Sequence, residues 1–349
     1  MKIIHIADVH LGAEPDIGRP WSEQRKTDIW ESFRRVIDRC RKENIDLLII
    51  AGDLFHRPPL KREVKEVNSY FRSIPDTTVI LMAGNHDYLK KGGFFERYPW
   101  NDNVIGLWGH TCERVEIPRL NLAVYGCSYY EREVPEPLYD TIRPSGSCRY
   151  HILVAHGGDA THSPIDRQRL MNAGFDYVAL GHIHKPEIIA ENQMAYSGSP
   201  EPVDCSEFGP HGLMEVTMEK DYTLASFVPA AVCEYKVMDL EVDENSTQYD
   251  LERLLAGQLS SEEDNHDIFH VHLNGIRDRS VEFDLERLKD LGRVVRVKDF
   301  THPYYDLDEL SHIYEGSLIG EFIRRLRDSD DAVEKKALYY GLEALLDNS

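Results

Sequence analysis

Five short segments within the first 184 residues carry side chains of the types that bind divalent metal ions. In chain order they are Asp8-Val9-His10, Gly52-Asp53-Leu54-Phe55-His56, Gly84-Asn85-His86-Asp87, His156-Gly157 and Gly181-His182-Ile183-His184. Together they offer carboxylate and carboxamide oxygens and several imidazole nitrogens, enough to hold two divalent cations side by side. The sequence therefore predicts a two-metal site of the kind that hydrolyses phosphate esters.

The residue types in these segments indicate which cations and which chemistry they suit. A mixed set of oxygen and imidazole ligands favours Mn²⁺, Fe or Zn²⁺ over Ca²⁺, and the lack of thiolates argues against a structural zinc site. Two such cations about 3.5–4 Å apart can activate water, orient a phosphate and neutralise charge on the attacking and leaving oxygens. A histidine that binds neither cation could then act as general acid near neutral pH.

Most of these segments follow apolar runs that predict β-strands. The runs at 3–8, 46–53 and 78–87 are short and end in polar residues, and a helical pattern lies between the first two. A second helix is predicted over 61–73. Strands that alternate with helices indicate an α/β fold, in which ligands collect at the carboxyl ends of the strands.

The spacing within the segments suggests how side chains converge. Residues i and i+2 of a strand point to the same face, so Asp8 and His10 are expected to reach one cation. The same is expected of His182 and His184, where the chain leaves its strand. Glycines before three of the candidate ligands allow the sharp turns that a crowded metal centre needs.

Later apolar runs follow one another without long helices between them. They lie at 121–128, 150–156, 176–182, 194–198, 212–218 and 223–228. These runs predict a second sheet packed on the first, and hence a four-layer helix–sheet–sheet–helix sandwich.

The pattern changes after Cys233. Strands are predicted at 234–242, 267–273 and 293–300, and helices at 247–259 and 284–291. This small α+β unit has no ligand cluster of its own. Two amphipathic helical segments are predicted in the tail, 307–327 and 331–346, whose apolar side suits packing on its own domain as well as binding a partner.

Composition and charge limit the function classes. With 42% hydrophobic and 29% charged residues, the 349-residue chain is typical of a soluble globular protein larger than one average domain. It has no apolar stretch near the roughly 18 residues of a membrane span and no predicted signal peptide. The six scattered cysteines are expected to be reduced thiols.

The net charge of −21 argues against nucleic acid as a partner. However, residues 240–270 carry a net charge of −8, residues 271–300 carry +1 and residues 301–349 carry −6, which leaves −8 for the first 239 residues. Two divalent cations would cancel about half of that charge. The charge therefore lowers the expectation of DNA binding without excluding it.

The motif set D-x-H, GD, GNH(D/E), H and GHxH is complete in this chain and resembles that of the calcineurin-like metallophosphoesterase superfamily. Within it the chain resembles the SbcD-type DNA double-strand-break repair exonucleases, on Asp8-Val9-His10-Leu11-Gly12, Ala51-Gly52-Asp53-Leu54-Phe55-His56 and Tyr196-Ser197-Gly198-Ser199-Pro200. The resemblance implies a catalytic domain over 1–232, a small α+β cap domain over 233–303 and a helical tail over 304–349.

The resemblance also implies a role for each site residue. One metal ion would be bound by Asp8, His10, Asp53 and His184, and the other by Asp53, Asn85, His156 and His182. His86 would be the catalytic histidine that protonates the leaving oxygen, assisted by His56. Many bacterial relatives have Asp at the position of His56. The alternative to a functional role for this histidine is that it caps the loop Arg57-Pro58-Pro59.

Activity and partners follow from the same resemblance. It implies Mn²⁺-dependent exo- and endonuclease activity on DNA, a homodimer, and an SbcC-type coiled-coil ATPase partner gripped by the tail helices. A cytoplasmic, nucleoid-associated protein is expected. The segment Gly84-Asn85-His86-Asp87 differs from the GNHE of Ser/Thr phosphatases in this superfamily, which disfavours phosphoprotein substrates.

Two other functions stay open. The acidic balance favours a small-molecule phosphodiesterase acting on cyclic or dinucleotide substrates, and an interaction protein with a retained regulatory site is a third possibility. A basic run is more often a solvated helix face than a phosphate contact, which applies to Lys61, Arg62, Lys65 and Arg72, and less strongly to Lys90 and Lys91. The remaining histidines, among them His162, lack motif context and receive no role.

Overall fold

The computed structural model describes residues 1–220, 222–261 and 266–346. The chain divides into two compact units, Met1–Tyr235 and Lys236–Ser349. The end of the predicted tail domain, residues 347–349, lies outside the described residues, as do 221 and 262–265. Within the described ranges, no helix is both long enough and apolar enough to cross a membrane.

The first unit is built from two sheets and their covering helices. Its strands are β1 (Lys2–Ile6), β2 (Leu47–Ala51), β3 (Thr78–Met82), β4 (Val104–Gly106), β5 (Glu113–Ile117), β6 (Leu122–Gly126), β7 (Tyr150–His156), β8 (Tyr177–Gly181), β9 (Glu187–Ala190), β10 (Met194–Tyr196), β11 (Gly212–Glu219) and β12 (Tyr222–Pro229). Its helices are α1 (Ser22–Glu43), α2 (Lys61–Arg72), α3 (Phe94–Arg97) and α4 (Arg167–Met171). The strand orders are β12-β11-β1-β2-β3-β4 and β5-β6-β7-β8-β10-β9. Strands β1 to β4 are parallel to one another, as are β6 to β8.

The two sheets pack face to face, and helices cover their outer faces. Side chains of a strand alternate between its two faces, and β2 shows the result clearly. Leu47 and Ile49 belong to the core between the sheets, whereas Leu48 and Ile50 pack with α1 and α2. The other face of the second sheet packs against α4. This architecture confirms the predicted four-layer helix–sheet–sheet–helix sandwich. The assignment of the runs at 212–218 and 223–228 to the second sheet is wrong, because they form β11 and β12, and β11 pairs antiparallel with the edge of β1 in the first sheet.

The carboxyl ends of the parallel strands carry the predicted ligand segments. Asp8, Asp53 and Asn85 lie two or three residues beyond β1, β2 and β3. In the second sheet, His156 ends β7 and His182 directly follows β8. Because parallel strands end at the same edge of a sheet, the segments meet at one edge of the sandwich.

The second unit is a smaller sheet with helices. Its elements are β13 (Tyr235–Val242), α5 (Gln248–Ser260), β14 (Ile268–Arg277), α6 (Leu285–Lys289), β15 (Val294–Asp299), β16 (His302–Pro303), α7 (Leu307–Ile313), α8 (Leu318–Leu326) and α9 (Ala332–Leu346). The sheet has the order β13-β14-β15, and β16 pairs with β14. Helices α8 and α9 bury apolar residues in a cluster that includes Ile323 and Leu342.

The prediction of one helix over 307–327 is wrong, because the structure has two helices there, α7 and α8. Gly316 has a φ of +75°, a left-handed conformation that typically follows the end of a helix. The side chain of Ser317 then accepts a hydrogen bond from the backbone N–H of Gly320 and starts α8. The apolar pattern continues across this break, which is why periodicity alone did not reveal it.

Candidate metal centre

Sharp turns, rather than strand spacing, bring the first candidate ligands together. Strand β1 ends at Ile6, and beyond it Asp8 and His10 have φ values of +53° and +50°. This left-handed backbone is uncommon outside glycine. It is held here by hydrogen bonds, since the N–H of Asp8 donates to the carbonyl of Gly52 at 3.1 Å and that of His10 to Asp53 at 3.0 Å. The prediction that the two-residue repeat of a strand aligns Asp8 and His10 is therefore wrong, although their side chains do meet.

Asp8, His10 and His184 form the first cluster. Each offers a ligand atom within 4.8 Å of the others. The Nε2 atoms of His10 and His184 lie 3.0 Å apart, and Oδ2 of Asp53 lies 4.0 Å from Nε2 of His10. Asp8 and His10 are buried almost completely. The cluster thus directs two imidazole nitrogens and two carboxylates toward a common point.

Asp53, Asn85, His156 and His182 form the second cluster. Oδ2 of Asp53 lies 3.4 Å from Nε2 of His156. Oδ1 of Asn85 lies 2.9 Å from that nitrogen and 3.2 Å from Nδ1 of His182. His182 also has a left-handed backbone, with a φ of +96°. The structure therefore gathers every predicted metal ligand into two adjoining clusters, with Asp53 between them.

Glycines make this close approach possible. A Cβ atom on Gly84 would lie 2.3 Å from Oδ1 of Asp53 and 2.6 Å from Nε2 of His156. A Cβ atom on Gly52 would lie 2.3 Å from Nδ1 of the same histidine. All three distances are below any normal contact, so the clusters occupy a cradle that a larger residue would fill.

The electrostatics of the clusters also suit cations. Burial raises the pKa of Asp8 to about 6. Burial by itself would lower the pKa of His156, but the neighbouring carboxylate of Asp53 raises it to about 9. Closely spaced buried carboxylates need positive charge beside them. Together with the mixed oxygen and imidazole donor set, this arrangement fits two divalent cations.

His86 and His56 adjoin the first cluster beside His10. Nδ1 of His86 lies 3.1 Å from the backbone carbonyl of His56, and the backbone N–H of His86 donates to Oδ1 of Asp53 at 2.8 Å. Nδ1 of His56 lies 3.4 Å from Nδ1 of His10. Burial lowers the pKa of His56. Both predicted catalytic histidines therefore lie at the centre, with the ring of His86 oriented by a backbone carbonyl.

Asp87, the last residue of the GNHD segment, holds two of the ligand loops together. Its buried carboxylate accepts hydrogen bonds from the backbone N–H groups of Gly84 at 2.8 Å and Phe55 at 3.1 Å. Burial raises its pKa to about 8. Asp87 thus connects the loop after β3 to the loop after β2, a role that the sequence analysis did not identify.

Two acidic residues that the sequence analysis did not select contact the site. Oδ2 of Asp159 accepts a hydrogen bond from Nε2 of His182 at 2.8 Å, and Oε1 of Glu207 accepts one from Nδ1 of His184 at 2.6 Å. The Asp-x-Thr pattern that starts at Asp159 is typical of a turn closed by its own side chain, which could have drawn attention to it. A similar Asp-x-Ser pattern, which starts at Asp204, directly precedes Glu207.

Comparison with known proteins places this geometry in context. A family model described as calcineurin-like phosphoesterase matches residues 1–186. The uncharacterized metallophosphoesterase YhaO of Bacillus subtilis (strain 168) is 29% identical over 239 residues, which are 62% of this chain and 58% of that protein.

Two archaeal relatives are both named DNA double-strand break repair protein Mre11. The one from Aeropyrum pernix is 26% identical over 307 residues, covering 75% of this chain and 70% of that protein. The one from Sulfolobus acidocaldarius is 26% identical over 326 residues, covering 85% of this chain and 82% of that protein. The aligned region thus spans little more than half of the Bacillus protein but most of the two archaeal ones.

Proposed function

This chain belongs to the calcineurin-like phosphoesterase family and is thereby a metal-dependent hydrolase of phosphate esters, and we propose that the ester it hydrolyses is the phosphodiester bond of DNA. It would act as an exonuclease and endonuclease with two Mn²⁺-type cations during double-strand-break repair. The observation that carries the two-metal part is the pair of adjoining clusters with Asp53 between them. The nuclease part is supported by the two archaeal relatives, whose alignments cover 75% and 85% of this chain.

The metal ligands follow the two clusters. One cation would be held by Asp8, His10, Asp53 and His184, and the other by Asp53, Asn85, His156 and His182. When bound, the pair would polarise the scissile phosphate and lower the pKa of the attacking water. The protein contributes the shared carboxylate and the glycine-lined cradle that keeps the donors close together.

His86 would transfer the proton to the leaving oxygen. Its Nδ1–H donates to the carbonyl of His56, which orients the ring and leaves Nε2 to release a proton. Burial lowers the pKa of His56, which favours its neutral form, and its ring packs against that of His86 at a centroid distance of 5.2 Å. In this assignment His56 assists by holding His86 in position.

Basic residues beside the site would contact the DNA backbone. Lys90 and Lys91 are exposed and follow the GNHD segment after two intervening residues. Arg57 follows His56, but Glu63 accepts two hydrogen bonds from its guanidinium at 2.8 and 2.9 Å. We therefore assign the phosphate contacts to Lys90 and Lys91 rather than to Arg57.

The cap and the tail of the chain would bind DNA and a protein partner. In this proposal residues 1–232 form the catalytic domain, 233–303 a DNA-facing cap, and 304–349 the segment that binds an SbcC-type coiled-coil ATPase. The tail exposes apolar side chains that suit a protein partner, namely Ile313 at 61%, Leu318 at 74%, Val333 at 74% and Tyr340 at 58%. A homodimer and a cytoplasmic, nucleoid-associated location belong to the same proposal.

A cleavage assay tests the nuclease assignment. Metal-free protein is incubated with Mn²⁺ and end-labelled linear, hairpin and circular DNA, beside the variants His86→Ala and His312→Ala. We expect DNA cleavage by the parent and by His312→Ala, which removes an exposed histidine of the second unit. Cleavage should be lost in His86→Ala because the leaving oxygen then has no proton donor.

The second candidate is a small-molecule phosphodiesterase for cyclic or dinucleotide substrates, which the net charge of −21 favours. It predicts fast turnover of bis-p-nitrophenyl phosphate and of a nucleotide panel, but no cleavage of DNA with or without an ATPase partner. That result would contradict the nuclease proposal while retaining the metal centre.

A further inference from the structure

Three of the four metal-facing histidines, His156, His182 and His184, are each held from behind by an oxygen atom. Nε2 of His182 donates to Asp159 at 2.8 Å, and Nδ1 of His184 donates to Glu207 at 2.6 Å. The outer nitrogen of His156 meets a backbone carbonyl at 2.9 Å. Two of these three supports are carboxylates, and neither belongs to a residue that is itself a proposed ligand.

We propose that Asp159 and Glu207 are positioning residues, each of which fixes one metal-binding histidine and so sets the affinity of one cation of the pair. Asp159 acts on the cation held by His182, and Glu207 acts on the cation held by His184. This inference rests on the two-cation site proposed above and adds two residues that touch neither cation.

The carboxylate of Asp159 is held by its own turn. It accepts hydrogen bonds from the backbone N–H groups of Thr161 at 2.7 Å and His162 at 2.8 Å, and from the hydroxyl of Thr161 at 2.9 Å. Gly158 precedes it with a φ of +131°, and a Cβ atom there would lie 2.1 Å from the hydroxyl of Tyr196. The turn therefore sets the position of the carboxylate independently of the imidazole that it supports.

Glu207 is fixed in a similar way. Its Oε2 atom accepts a hydrogen bond from the backbone N–H of Val203 at 2.9 Å, and its own backbone N–H donates to the carbonyl of Asp204 at 3.0 Å. The side chain of Glu207 is 16% exposed. Oε1 is thus presented to His184 by a closed turn, with little access for competing water.

The two acids contact different ring nitrogens of their histidines. Asp159 accepts a hydrogen bond from Nε2–H of His182, which leaves the lone pair of Nδ1 directed to the second cluster. Glu207 accepts a hydrogen bond from Nδ1–H of His184, which leaves the lone pair of Nε2 directed to the first cluster. A carboxylate partner also makes an imidazole a stronger donor to a cation, and its loss typically costs 10–100-fold in metal affinity. Since each acid supports a ligand of a different cation, the two effects should be separable.

The side chains around Asp159 could also form a separate cation site. Asp159, His162 and His182 offer ligand atoms within 4.8 Å of one another and could bind a third cation. In the structure the carboxylate instead accepts hydrogen bonds from both rings, at 2.9 Å from His162 and 2.8 Å from His182. The number of cations bound per chain distinguishes the two uses.

Calorimetric titration of the metal-free full-length chain with Mn²⁺ tests the proposal without relying on activity. The parent should bind two ions. Asp159→Ala and Glu207→Ala should each bind one of them about 10–100-fold more weakly and leave the other unchanged. The double variant should bind both ions more weakly than the parent. If it still bound one ion with parental affinity, both acids would act on the same cation, which would overturn the proposal.

Conservative variants and matched controls separate positioning from loop damage. Asp159→Asn and Glu207→Gln keep an acceptor oxygen and should recover part of the affinity. Ser206→Ala removes a bond within the turn before Glu207, and Thr161→Ser keeps the hydroxyl that donates to Asp159, so both variants should bind the two ions like the parent. Equal losses in these controls would reduce the acids to a structural role.

The remaining outcomes are also decisive. Unchanged affinities in the alanine variants, with two ions in the parent, would overturn this inference alone. A third ion in the parent that disappears in His162→Ala would make Asp159 a ligand instead of a positioning residue. A parent that binds no pair of ions would contradict the proposed two-metal function itself.

Discussion

The metal-binding edge of the first unit and the second unit of the chain are built in contrasting ways. Among the described residues, the non-glycine residues with positive φ all lie in the first unit, and they include the candidate ligands Asp8, His10, Asp53 and His182. In the described part of the second unit, positive φ is confined to Gly275 and Gly316. Four of these nine described positions are thus candidate ligands, so part of the backbone strain lies where side chains must converge, as is common at functional sites.

Local signals are stronger in the second unit. Several of its helices begin at residues whose side chains accept a hydrogen bond from the first turn, namely Thr247, Asp284, Asp306 and Ser317. Helix α1 of the first unit begins after Trp21 with no side-chain cap. It is stabilised by distant contacts instead, including the buried ion pair of Arg25 with Glu201. The first unit should therefore be more sensitive to substitutions that break long-range contacts.

The largest expected effect is the loss of stability in Glu201→Ala. The buried carboxylate accepts hydrogen bonds from Arg25 at 2.6 Å, Ser32 at 2.5 Å and the backbone of Val232 at 2.7 Å. Its removal leaves buried donors unpaired, which costs about 3–5 kcal/mol. Urea unfolding of the full chain measures the loss. Arg327→Ala, which removes an ion pair with Asp308 on the surface of the second unit, should leave unfolding unchanged, and similar losses in both variants would remove the contrast.

A smaller effect, on turnover and not on folding, is expected for Gly84→Ala. The new Cβ atom would lie 2.3 Å from Oδ1 of Asp53, so the loop or the carboxylate must shift. Displacing a catalytic group by about 1 Å can lower the rate about 10²-fold. Hydrolysis of bis-p-nitrophenyl phosphate with Mn²⁺ measures the change, and circular dichroism checks the fold. Parental turnover in a folded variant would show that the cradle tolerates the extra methyl group.

The smallest expected effect has the opposite sign. Gly257 lies inside α5 of the second unit, and a Cβ atom there would meet nothing within 4 Å. Gly257→Ala should therefore stabilise the chain by about 0.5–1 kcal/mol, because alanine favours the helix over the unfolded state. Thermal unfolding measures the gain, and hydrolysis should be unchanged. A loss of stability would contradict the view that this helix is governed by local propensity.

Much of the fold could be predicted because its central strands are continuous apolar runs. The family match confirms the superfamily indicated by the motifs, and the sandwich has the predicted layers. The edge strands β5 and β9 of the second sheet were missed. Their residues are mostly half-buried or exposed, so these strands have no apolar run to mark them.

The sequence by itself determined which side chains are available and which strand each one follows, because residue type and apolar patterning are local properties. The tertiary structure decided where their lone pairs point. His10 meets His184 across 174 positions of the chain, and the ring of His182 is oriented by Asp159, which lies 23 positions before it. The ligand roles and the support by Asp159 and Glu207 stay predictions for metal titration. Their geometry could not be predicted from spacing, because it depends on left-handed turns and on contacts between loops that are distant in sequence.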